Sequence, residues 1–345
     1  MRPCSPPALG PGTQVAFDEP GADRLRELGA MNVVLAFDLL GIGPSRRDPL
    51  AHTRARQDWF DDEVLSEDEG YDRLYSAGVR WEAPVVVWAT QALHDRLNLW
   101  RTCCWLRDRG IPRRDVLIID LPPTPRGPGA RPRAEPFECS DSLCHQSDEA
   151  LHAHLTAARP WPQERYDQAV TLWEQYLSPD PRRFARRCLR GVQGFPELGS
   201  LGSFLSRFFP RLSAERSLCL SRYDEILLRA LSTEWQTPGK VYVGEVLQQF
   251  WEFFSCSGDA AMAARLAAWA KHGTSPAVER AAIAGMEDLP MQSHVYRITA
   301  RGMELRAGFA RLADAPRLAV GGAEAYAPEA PWVLLDDGRL VRRGG

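Results

Sequence analysis

Three uninterrupted runs of apolar, largely β-branched residues constrain the fold of this chain more than any other feature of its sequence. They cover residues 33–37, 84–88 and 116–119. Continuous apolar runs are typical of strands that helices cover on both faces, whereas half-exposed strands alternate. A helical pattern over 91–109 separates the last two runs. This order predicts a three-layer α/β domain with a mainly parallel sheet, to which residues 14–17 add a weaker strand.

Shifts in composition and in helix-capping signals divide the rest of the chain. Six prolines within residues 121–136 predict an extended linker. Three helical patterns, then a strand and a Thr-x-x-Gly sequence, predict a winged-helix-like domain, and an Asp-Gly pair predicts a final hairpin. The predicted segments are a disordered leader at 1–12, the α/β domain at 13–121, the linker at 122–140, a helical segment at 141–215, the winged-helix-like domain at 216–310 and a short β tail at 311–345.

Composition and charge exclude several classes of protein. The formal net charge of −3 attracts the chain neither to nucleic acid nor to an anionic membrane. No run of eighteen apolar residues is present, so no membrane-spanning helix is expected. Eight cysteines without a secretion signal are expected to be free thiols in the cytoplasm. Only two of the 42 basic residues are lysines, a bias that we attribute to a GC-rich bacterial genome.

Three stretches, taken in order, carry a resemblance to a known family. The first is FDLLGIGP at 37–44, followed by Arg54, Arg56 and Trp59. The second is VVVW at 85–88 with LHDRLNL at 93–99. The third is LSRYDEIL at 220–227, with Gly258, Asp259, residues 318–322 and Trp332 further on. Together, over residues 31–343, these stretches resemble the bacterial proteins that carry the domain of unknown function 1835.

The resemblance implies the fold and the domain boundaries, and it implies no activity because the family has none assigned. The chain departs from the family pattern at two places. After Trp88, where the pattern has an acidic segment with a histidine, this chain has Ala-Thr-Gln-Ala at 89–92. After Gly322, where the pattern has a nearby histidine, it continues Ala-Glu-Ala. Any chemistry that those groups perform in the family is therefore missing from this chain.

Polar residues that follow the predicted strands indicate a ligand pocket, because ligands of an open parallel sheet bind beyond the carboxyl ends of its strands. Four candidates follow a strand within three residues, and one lies a turn into the next helix. A glycine permits close approach of the backbone, and an arginine offers bidentate contact to a phosphate or carboxylate. The candidate ligand-binding residues are Asp38, Thr90, Gln91 and Asp120 after the strands, Asp95 in the helix, the glycine Gly43 and the arginine Arg54. The alternatives are that Asp38 caps a turn and that Arg54 lies on a solvated helix face.

No catalytic centre can be assembled from the sequence, and no catalytic residue is predicted. Gly41 and Gly43 lack the third glycine of a dinucleotide fingerprint, and no Gly-x-Ser-x-Gly elbow is present. His94 is a single histidine near the crevice, which is typical of a surface or packing residue. A zinc interpretation of the cysteines and histidines at 139–154 fails on their spacing, so no metal site is predicted and the cofactor stays unknown. These residues are Cys139, Cys144, His145, His152 and His154.

Three functions remain open from the sequence. A non-enzymatic regulatory or protein-interaction protein is favoured, because no acid–base pair, nucleophile or metal set can be assembled. The alternative is an enzyme for a small phosphorylated or nucleotide-like substrate, with Asp38, Asp95 and Arg54 as its polar groups. The second alternative is a DNA-binding regulator with a recognition helix at 260–271. DNA is the less favoured partner, because residues 219–310 hold nine basic and ten acidic residues.

Overall fold

The computed structural model describes residues 9–60, 74–75, 79–122, 142–212, 218–243, 251–286, 292–307, 315–326 and 331–343. The chain has mixed α/β content and divides into two compact units. The first unit combines residues 1–38 with 70–174, and the second combines 39–69 with 175–345. The predicted linker at 122–140 lies outside the described residues apart from Pro122, and the predicted leader at 1–12 lies outside them up to residue 8.

Thirteen strands and eleven α-helices lie within the described residues. In chain order the strands are β1 (Thr13–Ala16), β2 (Asn32–Leu35), β3 (Gly43–Pro44), β4 (Val85–Ala89), β5 (Val116–Asp120), β6 (Arg211–Leu212), β7 (Leu218–Cys219), β8 (Val278–Ala282), β9 (His294–Ile298), β10 (Leu318–Gly321), β11 (Ala323–Tyr326), β12 (Trp332–Leu334) and β13 (Leu340–Arg342). The helices are α1 (Glu19–Glu27), α2 (Pro49–Phe60), α3 (Leu93–Asp108), α4 (Asp148–Ala157), α5 (Gln163–Tyr176), α6 (Arg182–Arg190), α7 (Leu198–Ser206), α8 (Arg222–Ala230), α9 (Pro238–Val241), α10 (Trp251–Lys271) and α11 (Ala300–Arg306).

A four-stranded, entirely parallel sheet lies in the first unit, in the order β2-β1-β4-β5. The predicted parallel arrangement is therefore confirmed. Val15 in the central strand β1 pairs with Val34 on one side and with Val87 on the other. Val86 and Val87 point to opposite faces of the sheet and are both buried. Burial on both faces explains why the strand sequences are continuous apolar runs.

Strand β1 has a low strand propensity but lies inside the sheet, where its two polar side chains, Thr13 and Gln14, are hydrogen-bonded. The side-chain carbonyl of Gln14 accepts a hydrogen bond of 2.8 Å from the indole N–H of Trp88. The hydroxyl of Thr13 accepts from the backbone N–H of Glu82 at 2.7 Å and from the amide of Asn32 at 3.0 Å. Buried polar side chains with partners cost little stability. Tertiary bonding thus overrides the low strand propensity of this segment.

Helices α1 and α4 share an apolar core with the sheet. Leu25 of α1 and Leu151 of α4 belong to the same buried cluster as Val86, Trp88 and Ile119. Helix α3 is buried along almost its whole length, from 93 to 104 without interruption. The polar side chains of α3 are therefore inside the unit, where they must bond to strand ends and loops.

The second unit contains three smaller sheets, with strand orders β11-β10-β3, β13-β12-β6-β7 and β8-β9. In the first of these, Gly43 of β3 lies opposite Val320 of β10 in parallel register. Gly43 has a φ of +89°, and a Cβ at this position would lie 2.4 Å from Nη1 of Arg56. Arg56 donates to the carbonyls of Leu39 and Ile42 at 3.0 and 2.7 Å. The glycine is therefore required for the loop that Arg56 anchors.

A buried ion pair joins α8 to α10 in the second unit. Arg265 donates to both carboxylate oxygens of Asp224, at 2.8 and 2.9 Å. The indole of Trp269 and the hydroxyl of Ser221 donate to the same carboxylate, at 2.8 and 3.0 Å. These donors hold the carboxylate ionised even though burial opposes its charge.

None of the helices in the described ranges is both long enough and apolar enough to cross a bilayer.

Candidate ligand-binding site

The strand order of the first unit identifies where a ligand is expected to bind. The chain passes from β1 to β2 at one side of the sheet and later crosses to β4 at the other side. A crevice opens outside the carboxyl ends of the two strands where the direction of winding reverses, and ligands of such sheets bind there. In this unit those strands are β1 and β4. The side chains that follow them are Asp18 after β1, and Thr90, His94 and Asp95 after β4.

Asp18 is the N-cap of α1 and is only partly exposed. Its Oδ1 accepts hydrogen bonds from the backbone N–H of Gly21 at 2.6 Å and from the hydroxyl of Ser142 at 2.9 Å. Gly21 allows this close approach, because a Cβ there would lie 3.0 Å from the same oxygen. Burial and the negative charge of Asp95 raise the pKa of the Asp18 carboxyl above its ordinary value, against the opposing effect of its hydrogen bonds and of His94.

Asp95 lies in the first turn of α3 and is completely buried. One carboxylate oxygen accepts from the backbone N–H and the hydroxyl of Thr90, at 2.8 and 2.7 Å. The other lies 2.9 Å from Nε2 of His94. Burial alone would raise the pKa of Asp95, but His94 and the Thr90 donors outweigh it, so the pKa is lowered. Asp95 therefore loses its proton more readily than an ordinary carboxyl does.

Asp18, His94 and Asp95 form what we call the switch-point cluster. Its two carboxylates have pKa values displaced in opposite directions, so that Asp18 retains a proton more readily than Asp95 does. Such divergence is the usual basis of acid–base assignments in an active site. The imidazole of His94 is largely buried, with 11% of its side chain exposed, and its ring packs edge-on against Phe37 at 6.1 Å. Carboxylate and imidazole groups accept hydrogen bonds, and an imidazole also takes up and releases protons near neutral pH.

The structure brings Thr90 and Asp95 together but gives Asp38 different partners. The backbone N–H and carbonyl of Asp38 are both bonded to the side-chain amide of Asn98, at 3.2 and 2.9 Å. Its carboxylate lies 3.6 Å from Nη1 of Arg101, which is completely buried. Arg101 also donates to the carbonyl of Ala36 at 2.9 Å. Asp38 thus fixes the segment after β2 through α3.

Gln91 and Asp120 also have partners that fix the fold. The amide of Gln91 donates to the carbonyl of Leu121 at 2.9 Å, which ties the segment after β4 to the segment after β5. The carboxylate of Asp120 accepts from Arg96 at 2.6 Å and from Arg165 at 2.8 Å. Both of its oxygens are engaged by arginines, so its charge is balanced within the unit.

The remaining two predicted residues, Gly43 and Arg54, belong to the second unit. Gly43 serves the loop into β3, as described above. Arg54 is exposed on α2, whereas Arg56 of the same helix is buried and bonded. The first unit's cluster is therefore built without either residue.

Sequence reasoning missed Asp18 and Ser142 and gave His94 a packing role. The signal for Asp18 was present, because the rule that selects residues after strand ends applies equally to the weak strand at 14–17. An aspartate two residues before a proline is also a helix-start pattern. No comparable signal marks Ser142, which lies beyond the proline-rich segment and reaches Asp18 only in the folded unit.

Within the described ranges, no group of three histidine, cysteine or acidic side chains is arranged to hold a metal ion. Cys139 lies outside those ranges. Cys144 accepts from the hydroxyl of Ser142 at 3.1 Å, and Nδ1 of His152 is bonded to the carbonyl of Asp148 at 2.8 Å. Fold and site thus define an α/β protein with a cluster of ionisable side chains where strands β1 and β4 of a parallel sheet end. No family model matches the chain, and no curated protein is significantly similar to it.

Proposed function

We propose that the first unit binds a small polar molecule at the switch-point cluster and exchanges a proton with it. The observation that carries the proposal is the juxtaposition of Asp18, His94 and Asp95 at the carboxyl ends of β1 and β4. Grouping two carboxylates in a poorly solvated place costs stability. Perturbed groups of this kind, placed where a fold binds ligands, are characteristic of functional sites.

The composition of the cluster favours a particular class of ligand. Two carboxylates and one imidazole match hydroxyl or amine donors better than a phosphate. The arginine nearest in sequence, Arg96, is already engaged by Asp120. A polyol, a nucleoside or an amino sugar fits this chemistry. The proposal therefore keeps the enzyme alternative of the sequence analysis and replaces its phosphorylated substrate with a hydroxyl- or amine-bearing one.

Calorimetric titration of the full chain with polyols, nucleosides and amino sugars tests the proposal. We expect at least one class to bind, and expect Asp18→Asn and His94→Gln to weaken that binding at least tenfold. Asparagine preserves the helix cap at position 18. Glu27→Gln, on the exposed side of α1, is the matched control and should bind as the wild type does. Unchanged binding in both site variants, or no binding by any of the three classes, would refute the proposal.

A second measurement separates proton exchange from simple binding. NMR titration of the His94 imidazole should show a pKa that changes when the ligand is added. If the ligand binds and the imidazole titration is unaltered, the cluster binds without exchanging a proton. A non-enzymatic role, which the sequence alone favours, would then be supported.

We further propose that residues 216–310 form a winged-helix-like module and that the chain is related to the domain of unknown function 1835. The order of elements supports the module: helices α8, α9 and α10 precede the antiparallel pair β8–β9, and Gln236 bridges to Tyr296. The proposed recognition helix is poorly suited to DNA, since Arg265 is buried against Asp224. A protein-contact role is therefore favoured for this module. Tight binding to random duplex DNA at low salt, in a mobility-shift assay, would contradict this preference.

A further inference from the structure

An apolar cavity, which we call the chamber, lies wholly inside the second unit. It has a volume of about 270 Å³ and lies among the end of α5, helices α6 and α7, and strands β10, β12 and β13. Its walls are mainly apolar and include Phe184, Cys188, Leu205, Phe209, Leu334 and Leu340. A cavity of roughly 150 Å³ with such a lining accommodates benzene, so this chamber has room for about ten carbon atoms.

Two glycines of α7 explain why the chamber stays open. Gly202 lies against α6, where an added Cβ would be 2.4 Å from the Cβ of Cys188. Gly199, one turn earlier, would place a Cβ with nothing within 4 Å, and it is exposed at the lining of the chamber. Helix α7 is therefore in close contact with α6 at Gly202, whereas a side chain at position 199 would have open space around its Cβ at the lining of the chamber.

An arginine-rich pocket adjoins the chamber. It shares Ala185, Leu189 and Leu340 with the chamber wall. Four arginines line this pocket, together with a single acidic residue, Asp180: they are Arg182, Arg183, Arg186 and Arg339. Helix α6 as a whole carries five arginines and no acidic residue.

Two of the four lining arginines are engaged by carboxylates. Arg182 is bonded to Asp180 at 2.6 Å, and Arg339 is bonded to Asp337 at 2.5 Å. Across the part of the chain that the structure describes, neither Arg183 nor Arg186 has a carboxylate within ion-pair distance, although Asp180 in the same pocket is close enough to Arg186 for their charges to interact. An apolar chamber thus lies beside two guanidinium groups that have no carboxylate bound to them. Leu189, on the shared wall, is 58% exposed.

We propose that the second unit binds a single-chain fatty carboxylate of about ten carbons. The acyl chain occupies the chamber, and the carboxylate binds Arg183 and Arg186. An apolar chain gains stability from each methylene that it removes from water, about 0.8 kcal/mol. A guanidinium binds a carboxylate through two parallel hydrogen bonds. The neutral chamber and the cationic pocket therefore match the two ends of one molecule.

Calorimetric titration of the full chain with decanoate, decanol and acetate tests this site. Decanoate should bind at least tenfold more tightly than decanol, which lacks the charge, and acetate, which lacks the chain, should give no binding. Decanol binding as tightly as decanoate would overturn the assignment of the arginines. Absence of decanoate binding would overturn the proposal as a whole.

Variants locate the site on α6 and α7. Gly199→Phe should place a ring at the lining of the chamber and remove decanoate binding, whereas Gly199→Ala should bind as the wild type does. Arg183→Gln with Arg186→Gln should weaken decanoate at least tenfold and leave decanol unchanged. The control is Arg190→Gln, on the same helix but outside both pockets. If Gly199→Phe has an unchanged circular dichroism spectrum and binds decanoate with wild-type affinity, the acyl chain does not occupy the chamber beside position 199.

Discussion

The buried pair of Asp224 and Arg265 gives the most quantitative prediction about this protein. Both side chains are at most 1% exposed. Replacing Asp224 with asparagine preserves its shape but leaves Arg265 without a negative partner. It also sets an amide N–H against the guanidinium, and Trp269 and Ser221 lose part of their acceptor. We therefore expect the second unit to be strongly destabilised by this single substitution.

The size of the loss follows from the burial of the pair. Removing one member of a buried ion pair typically costs about 3–5 kcal/mol, because the other charge stays desolvated. Arg265 keeps two acceptors, the carbonyls of Pro316 and Arg317, at 3.0 and 2.8 Å, which places the loss towards the lower end. For a unit of this size, about 3 kcal/mol corresponds to a fall in the melting temperature of roughly 6–12 °C.

Urea unfolding followed by circular dichroism measures this loss. Asp337→Asn is the control, because Asp337 is 50% exposed and solvent screens its pair with Arg339, so this variant should unfold close to the wild type. The double variant Asp224→Asn with Arg265→Met should lose less than the two single variants together, since it leaves no unpaired charge. A loss below about 1 kcal/mol for Asp224→Asn would refute the reasoning.

The pH dependence of the same variant provides a check of sign. The pKa of Asp224 is lowered in the folded protein, with burial opposed by Arg265 and the other donors. A lowered carboxyl pKa contributes stability above the unfolded value of about 3.9, and that contribution is lost as the pH falls through the folded value. The difference between wild type and Asp224→Asn should therefore narrow in acid.

Four further predictions concern single side chains. In thermal melts, Asp18→Asn should be more stable than the wild type near about pH 7 and similar to it near about pH 3. Burial and a neighbouring carboxylate raise the pKa of Asp18, so its negative charge in the folded protein costs stability at pH values above the unfolded pKa. Gly202→Ala should cost about 1–3 kcal/mol through overpacking, whereas Gly199→Ala should be neutral or stabilising by up to about 1 kcal/mol, in urea unfolding. Burial raises the pKa of the Cys188 thiol to about 12, so alkylation at Cys188, followed by peptide mass spectrometry, should be slow near about pH 8 until the unit unfolds. Asp120→Asn should destabilise the first unit by about 2 kcal/mol without changing ligand affinity, by melting and titration, because both of its oxygens bind arginines.

The sequence predicted the parallel sheet because its signal is local. Each strand except β1 is a continuous apolar run, and the helix between β4 and β5 has a clear apolar face. The polar strand β1 was harder to recognise, since its burial depends on bonds from Asn32, Glu82 and Trp88. These partners are 19 to 74 residues away along the chain, so no local sequence pattern predicts the hydrogen bonds.

The site was only partly predictable for the same reason. Thr90 and Asp95 could be chosen because Thr90 directly follows a strong strand and Asp95 lies in the first turn of the helix after it. The role of Asp120 could not be judged from the sequence, because the two arginines that bind it, Arg96 and Arg165, are distant from it along the chain. The role of Arg54 could not be judged either. Arg54 and Arg56 are two residues apart and equally basic. Only the fold shows that Arg56 is buried and that Arg54 is exposed.

Two of the groups of buried charge in the described residues differ in a way that separates structure from function. Asp224 has an arginine, an indole and a hydroxyl directed at it, so its pKa is lowered and its burial stabilises the second unit. In the switch-point cluster, Asp18 lies near a second carboxylate and its pKa is raised, so its charge destabilises the first unit. A stabilising replacement is a single substitution away, because asparagine would keep the helix cap. We therefore expect aspartate at this position to cost stability, and the ligand binding that we propose for the switch-point cluster would be a physical reason for such a cost.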